Sequence, residues 1–158
     1  MRSIDTLVIH CAATPNGRPF TVRDIDRWHA ERITKHELSG RIEEALLNYN
    51  PHLPYIGYHD VIEVDGNVRS GRGENEAGSH AAQVNEHSLG VCLIGLDRFT
   101  KAQWEALAGY VLDARRRYGP IKILGHRDVP GTMKSCPGFS VIDWLKADMQ
   151  PKQEMLYA

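Results

Sequence analysis

The segment Gly125-His126-Arg127-Asp128-Val129-Pro130-Gly131-Thr132-Met133-Lys134-Ser135-Cys136-Pro137-Gly138 gathers a histidine, a lysine and a cysteine on a short stretch of chain. Its prolines and glycines keep that backbone from being helical. Ile121-Lys122-Ile123-Leu124 just before it reads as a buried strand, so His126 falls where a strand gives way to a loop. Loops held by a rigid scaffold are a common place for functional side chains. Imidazole and thiolate both ligate zinc, but two such groups do not complete a site. His10, at the end of the apolar run Leu7-Val8-Ile9, is a third candidate. Spacing alone does not pair it with the other two. Three protein ligands would leave the fourth zinc position open, which is the catalytic form of such a site.

The chain that must position these groups has 158 residues and reads as one domain over 1–150, with a C-terminal tail at 151–158. With 42% hydrophobic and 25% charged residues and a formal net charge of -1, it offers no electrostatic reason to bind nucleic acid or an anionic membrane. No apolar run has the length of a membrane span, and Met1-Arg2-Ser3-Ile4-Asp5 is not a signal peptide. The expectation is therefore a chain made and kept in the cytoplasm unless something releases it; a monomer is also expected. Cys11, Cys92 and Cys136 are an odd number without the spacing of a structural zinc module, so no disulfide framework is expected.

Ile4 to His10 is expected as a strand, with Cys11 buried on the face opposite His10. Thr21, with Asp24 three residues on, caps a helix from about Val22 to Ile33. His29 on that helix is expected to be partly exposed. Ser39-Gly40 suggests a second short helix ending at Asn50-Pro51. His36 and His52 are taken as solvated. Gly57 to Val64 alternates as a half-buried strand, and Asp65-Gly66-Asn67 turns it into a short strand at Val68-Arg69. Ser70 to Ser88 is a long polar loop, a length that is usually functional or disordered. Leu89 to Leu96 is apolar throughout, as in a central strand covered on both faces, with Cys92 a core residue. Thr100 and Gln103 form a capping box for a helix from Lys101 to Tyr118, whose buried stripe is Trp104, Leu107, Ala108, Val111 and Leu112. Ser140 caps a last helix, and the tail from Gln150-Pro151 is expected to fray. This order describes an α/β or α+β fold, a single sheet with helices packed on it.

Several motifs occur in one order: Leu7-Val8-Ile9-His10-Cys11-Ala12-Ala13-Thr14, Ile56-Gly57-Tyr58-His59, Gly78-Ser79-His80-Ala81, Asn85 through Cys92-Leu93-Ile94-Gly95, Gly125-His126-Arg127-Asp128 and Lys134-Ser135-Cys136-Pro137-Gly138. Together they resemble the zinc-dependent N-acetylmuramoyl-L-alanine amidases of the type-2 family, a group that includes T7-type phage lysozymes and peptidoglycan recognition proteins. The resemblance runs from about residue 4 to about residue 148. It implies a central mixed sheet flanked by helices, and Zn2+ held by His10, His126 and Cys136. It also implies catalytic assistance from Tyr58 and Lys134, and a substrate-groove position for His80. The interval between Trp28-His29-Ala30 and Ile56-Gly57-Tyr58-His59 departs from the family, so part of Arg32 to Pro54 reads as an insertion forming a groove rim or lid.

The implied reaction is hydrolysis of the amide between N-acetylmuramic acid and L-alanine in peptidoglycan. Zinc lowers the pKa of water from about 15.7 to about 7, on the order of 12 kcal/mol at 1.36 kcal/mol per unit. A thiolate ligand donates charge and weakens that effect. An ammonium at Lys134 could compensate by stabilising the oxyanion, and Tyr58 could hydrogen-bond the attacking water or that oxyanion. The compact chain fits a phage or prophage endolysin, released to the wall after a holin opens the membrane. The alternatives are a cytosolic amidase recycling anhydro-muropeptides, whose third ligand is usually aspartate, and a non-catalytic peptidoglycan-binding module, in which the cysteine is lost. A further regulatory protein partner, as for T7-lysozyme-like chains that inhibit a polymerase, is neither indicated nor excluded.

Overall fold

A computed structural model of the protein describes residues 2–38, 49–132 and 135–158. The strands are β1 (Thr6–Cys11), β2 (Asp60–Ile62), β3 (Val68–Ser70), β4 (Ser88–Leu93) and β5 (Lys122–Gly125), and the α-helices are α1 (Val22–Leu38), α2 (Lys101–Tyr118) and α3 (Val141–Lys146). The five strands form one sheet in the order β3-β2-β4-β1-β5. β1 runs parallel to both β4 and β5, β2 is parallel to β4, and only the β2–β3 hairpin is antiparallel. The expected mixed sheet flanked by helices is the observed architecture.

β1 and β4 are buried along their whole length, which is why both read as continuous apolar runs. Leu7, Ile9, Leu89, Val91 and Leu93 pack with Trp104, Leu107 and Val111 of α2 and with Phe99, Phe139 and Trp144 in one cluster. Rings in that cluster meet edge-on, Trp104 and Phe139 at 4.7 Å between centroids, as aromatic quadrupoles prefer. The capping box of α2 is present in both directions: Thr100 Oγ accepts from the Gln103 backbone and the Gln103 side chain accepts from the Thr100 backbone. Gln103 is fully buried yet satisfied, since its amide also donates to the carbonyls of Ile62 and Ile94.

Four expectations are corrected. Leu112 is 55% exposed, and Ala114 takes its place in the buried stripe. α1 runs past Ile33 to Leu38. The strand expected over Gly57 to Val64 shrinks to the three residues of β2, because Ile56 and Gly57 are engaged by α1 instead: Asp26 accepts from Ile56 N–H and His29 from Gly57 N–H. The tail does not fray. Phe99 N–H and Trp104 Nε1–H both donate to Met155 O, and Tyr157 N–H donates to Phe99 O. The second helix expected after Ser39 falls mostly on residues 39–48, outside those described.

Candidate active site

His10 lies near the end of β1, and His126 follows β5 directly in a 3₁₀ turn. The two strands are adjacent and parallel, so both rings emerge at the carboxyl edge of the sheet, with centroids 4.6 Å apart. That edge is where open α/β sheets bind ligands. Cys136 reaches the same point on the following loop, anchored by Arg127 N–H donating to Cys136 O. The turn after it depends on Gly138, whose φ is +89° and where a Cβ would lie 2.1 Å from Leu96 O.

The ligand atoms of His10, His126 and Cys136 lie within 4.8 Å of one another, and Cys136 Sγ is 3.8 Å from His10 Nδ1. Tetrahedral zinc, with Zn–S of about 2.3 Å and Zn–N of about 2.0–2.1 Å, sets ligand atoms roughly 3.3–3.6 Å apart. The donor set and spacing fit a zinc ion after a small contraction. The hydrogen bond with Cys11 and burial push the Cys136 thiol up, while Cys11 N–H, donating to Cys136 Sγ over 3.2 Å, favours the charged sulfur. A coordinated cation would complete the ionisation.

Around these three residues is a groove lined by Ala12, His29, Arg32, Tyr58, His80 and Asn85. Tyr58 sets its ring 4.9 Å from that of His10. Burial raises its hydroxyl well above the ordinary phenol range, so Tyr58 faces the groove as a neutral donor. Cys92, which sits beside His10 in the β1–β4 register, belongs to the buried cluster that Tyr58 packs against. His80 borders the groove, as the resemblance implies, but both ring nitrogens have partners within the protein, His10 and Ser88. Lys134 lies outside the described residues. Of the suspected rim, Arg32 lines the groove, whereas Leu53 packs against Val22 and Ile25 of α1 in a buried cluster. The residues between 39 and 48 are outside those described.

Sequence reasoning missed His29. It is 9% exposed, it lines the groove, and burial followed by the charges of Arg32 and Arg72 lowers its pKa to about 3. Gly57 N–H donates to its Nδ1, which leaves the ring's proton on Nε2. Its place beside Trp28 on the apolar stripe of α1 was the available signal. Two arginines were also missed. Arg2 donates to the carbonyls of Glu74, Asn85, Glu86 and Ser88, and Arg72 to those of Ile56 and Ala77. They pin the long polar loop that carries His80.

A family model described as N-acetylmuramoyl-L-alanine amidase matches residues 1–139. The endolysin of Escherichia phage T7 is 32% identical over 150 residues, spanning 90% of this chain and 85% of that protein. The endolysin of Enterobacteria phage K11 is 34% identical over 146 residues, spanning 87% and 83%. Among solved structures, the N-acetylmuramoyl-L-alanine amidase LysC from Clostridium intestinale superposes with a TM-score of 0.71 at 26% identity, covering 96% of this chain and 88% of that one. Drosophila PGRP-LB, with a TM-score of 0.65 at 24% identity and coverage of 93% and 82%, shares the fold.

Proposed function

The chain belongs to the N-acetylmuramoyl-L-alanine amidase family and is a peptidoglycan amidase of the phage-endolysin type; from that premise we propose that His10, His126 and Cys136 hold a catalytic zinc ion. The observation that carries the proposal is the convergence of those three side chains, two from adjacent strand ends and one from a loop, beside a groove. Zinc bound there supplies an electrophile for the scissile carbonyl and acidifies water. The protein's own groups do the rest. The groove orients the muramoyl–alanyl bond, and the neutral Tyr58 hydroxyl, beside His10, is a donor for the attacking water or the carbonyl oxygen. Lys134, two residues before Cys136, supplies an ammonium to the oxyanion that develops in the transition state.

The protein acts on the wall as a monomer, reaching it when a holin opens the membrane. No helix among the described residues is long and apolar enough to cross a membrane. The test compares intact sacculi with soluble anhydro-muropeptides, with and without a chelator. Release of stem peptides with a new free L-alanine amine from sacculi, stopped by chelation and restored by zinc, is expected. Cleavage of soluble muropeptides alone would overturn the lytic reading. Full activity after exhaustive chelation would overturn the zinc reading.

A further inference from the structure

We propose that His80 is a positioning residue whose Nδ1 accepts the Nε2–H of His10 and so fixes which His10 nitrogen is offered to the metal. This rests on the zinc reading above. His10 Nδ1 faces Cys136 Sγ at 3.8 Å, while His10 Nε2 lies 2.8 Å from His80 Nδ1. A neutral imidazole has one N–H. Ligation through Nδ1 therefore puts the His10 proton on Nε2, and His80 Nδ1 accepts it. The proton of neutral His80 is then on Nε2, which lies 3.3 Å from Ser88 Oγ. The chain of donors has one direction, from His10 to His80 to Ser88.

The surroundings of His80 are built to hold that ring in place. The backbone N–H groups of His80 and Ala81 both donate to Asn85 Oδ1, at 3.0 and 2.9 Å. The ring occupies space left by two glycines: a Cβ at Gly78 would come within 2.3 Å of it and one at Gly90 within 2.6 Å. Ser88, at the far end, is 0% exposed. A histidine committed to substrate would present a ring nitrogen to the groove, whereas both nitrogens of His80 are engaged inside the protein. Metal-bound histidines ordinarily give their second N–H to a carboxylate, carbonyl or water, and losing that partner costs about 10–100-fold in metal affinity or activity. Here a second imidazole takes that place.

The experiment measures zinc affinity by chelator competition, KM and kcat at saturating zinc, and the His10 tautomer by 15N NMR in the metal-free protein. Zinc binding about 10–100-fold weaker is expected for His80→Ala, with KM for muropeptides unchanged. His80→Asn, whose amide oxygen sits near the Nδ1 position, should restore most of the affinity. The metal-free wild type should show His10 protonated at Nε2. A folded His80→Ala with wild-type zinc affinity and a raised KM, or His10 protonated at Nδ1, overturns the proposal. Should His80→Ala fail to fold, Ser88→Ala reads the same chain from a position substrate does not reach: weaker zinc binding supports it and unchanged binding overturns it. A wild-type protein that binds no zinc would sink the metal reading itself. Wild-type binding with unaffected variants sinks only the role of His80.

Discussion

Along β1, Leu7, Ile9 and Cys11 join the aromatic cluster beneath α2, while Val8 packs with Ala81 and Val129 and His10 lines the groove. β4 repeats the division. Leu89, Val91 and Leu93 belong to the α2 side, whereas Gly90 makes room for the His80 ring and Cys92 lies in the cluster that Tyr58 packs against. On the α2 face the buried polar side chain Gln103 is fully hydrogen-bonded, and the cluster beside it is mostly aliphatic and aromatic. On the groove side several buried polar groups are imidazoles, and two of them are held by backbone: Gly57 N–H donates to His29 and Gly90 N–H to His59. Apolar packing is non-directional and tolerates small errors in angle, but a ring nitrogen aimed at a metal does not. Damage to the α2 face should therefore appear as lost stability, and damage to the groove face as lost chemistry on an intact fold.

The largest expected effect tests that division from the groove side. Cys136→Ser replaces a thiolate with a poor zinc ligand. Hydrolysis should fall to background with zinc stoichiometry near zero, while the thermal transition stays cooperative and only somewhat lowered. Outright unfolding would show that the metal holds the fold and that the two faces are not separable.

Trp104→Ala attacks the other face. Removing a buried tryptophan costs about 3–5 kcal/mol, roughly 6–20 °C in Tm for a chain of this size. Below the transition the variant should still bind zinc at the wild-type ratio. A folded Trp104→Ala protein without zinc would mean that the aromatic cluster sets ligand geometry as well as stability.

Lys134→Ala sharpens the proposed boundary between groups that bind metal and groups that act on the transition state. Losing one oxyanion donor costs about 10²–10³ in kcat, or roughly 2.7–4 kcal/mol. Zinc content should not change. A variant keeping at least half the wild-type kcat would remove Lys134 from the mechanism.

The smallest effect should come from Thr100→Ala, which deletes the α2 capping box. Urea unfolding should register a loss of about 1 kcal/mol, with kcat and KM untouched. A changed kcat would show that motion of α2 reaches the groove through the sheet.

The sequence by itself determined the parts that follow from local pattern. α2 begins and ends where its capping box and Gly119 place it, because capping hydrogen bonds span only a few residues. β1 and β4 follow from apolar runs too long and too uniform for a half-exposed strand. The candidate ligands and Tyr58 were legible because their motifs recur in one order in a known family, not because spacing could pair His10 with His126. Tertiary structure decided the rest. The strand order puts β1 beside β5, which no local signal encodes, and that adjacency brings the two rings together. α1 lying over Ile56 and Gly57 buried His29 and shortened β2. Phe99 and Trp104 hold the tail by its backbone groups while Met155 and Leu156 pack on the core, contacts set by distant parts of the chain. His80 looked like a groove residue in sequence, and only the packing around Gly78 and Gly90 turned its ring toward His10. A side chain's identity states which bonds it can make, but its direction is set by neighbours from distant parts of the chain.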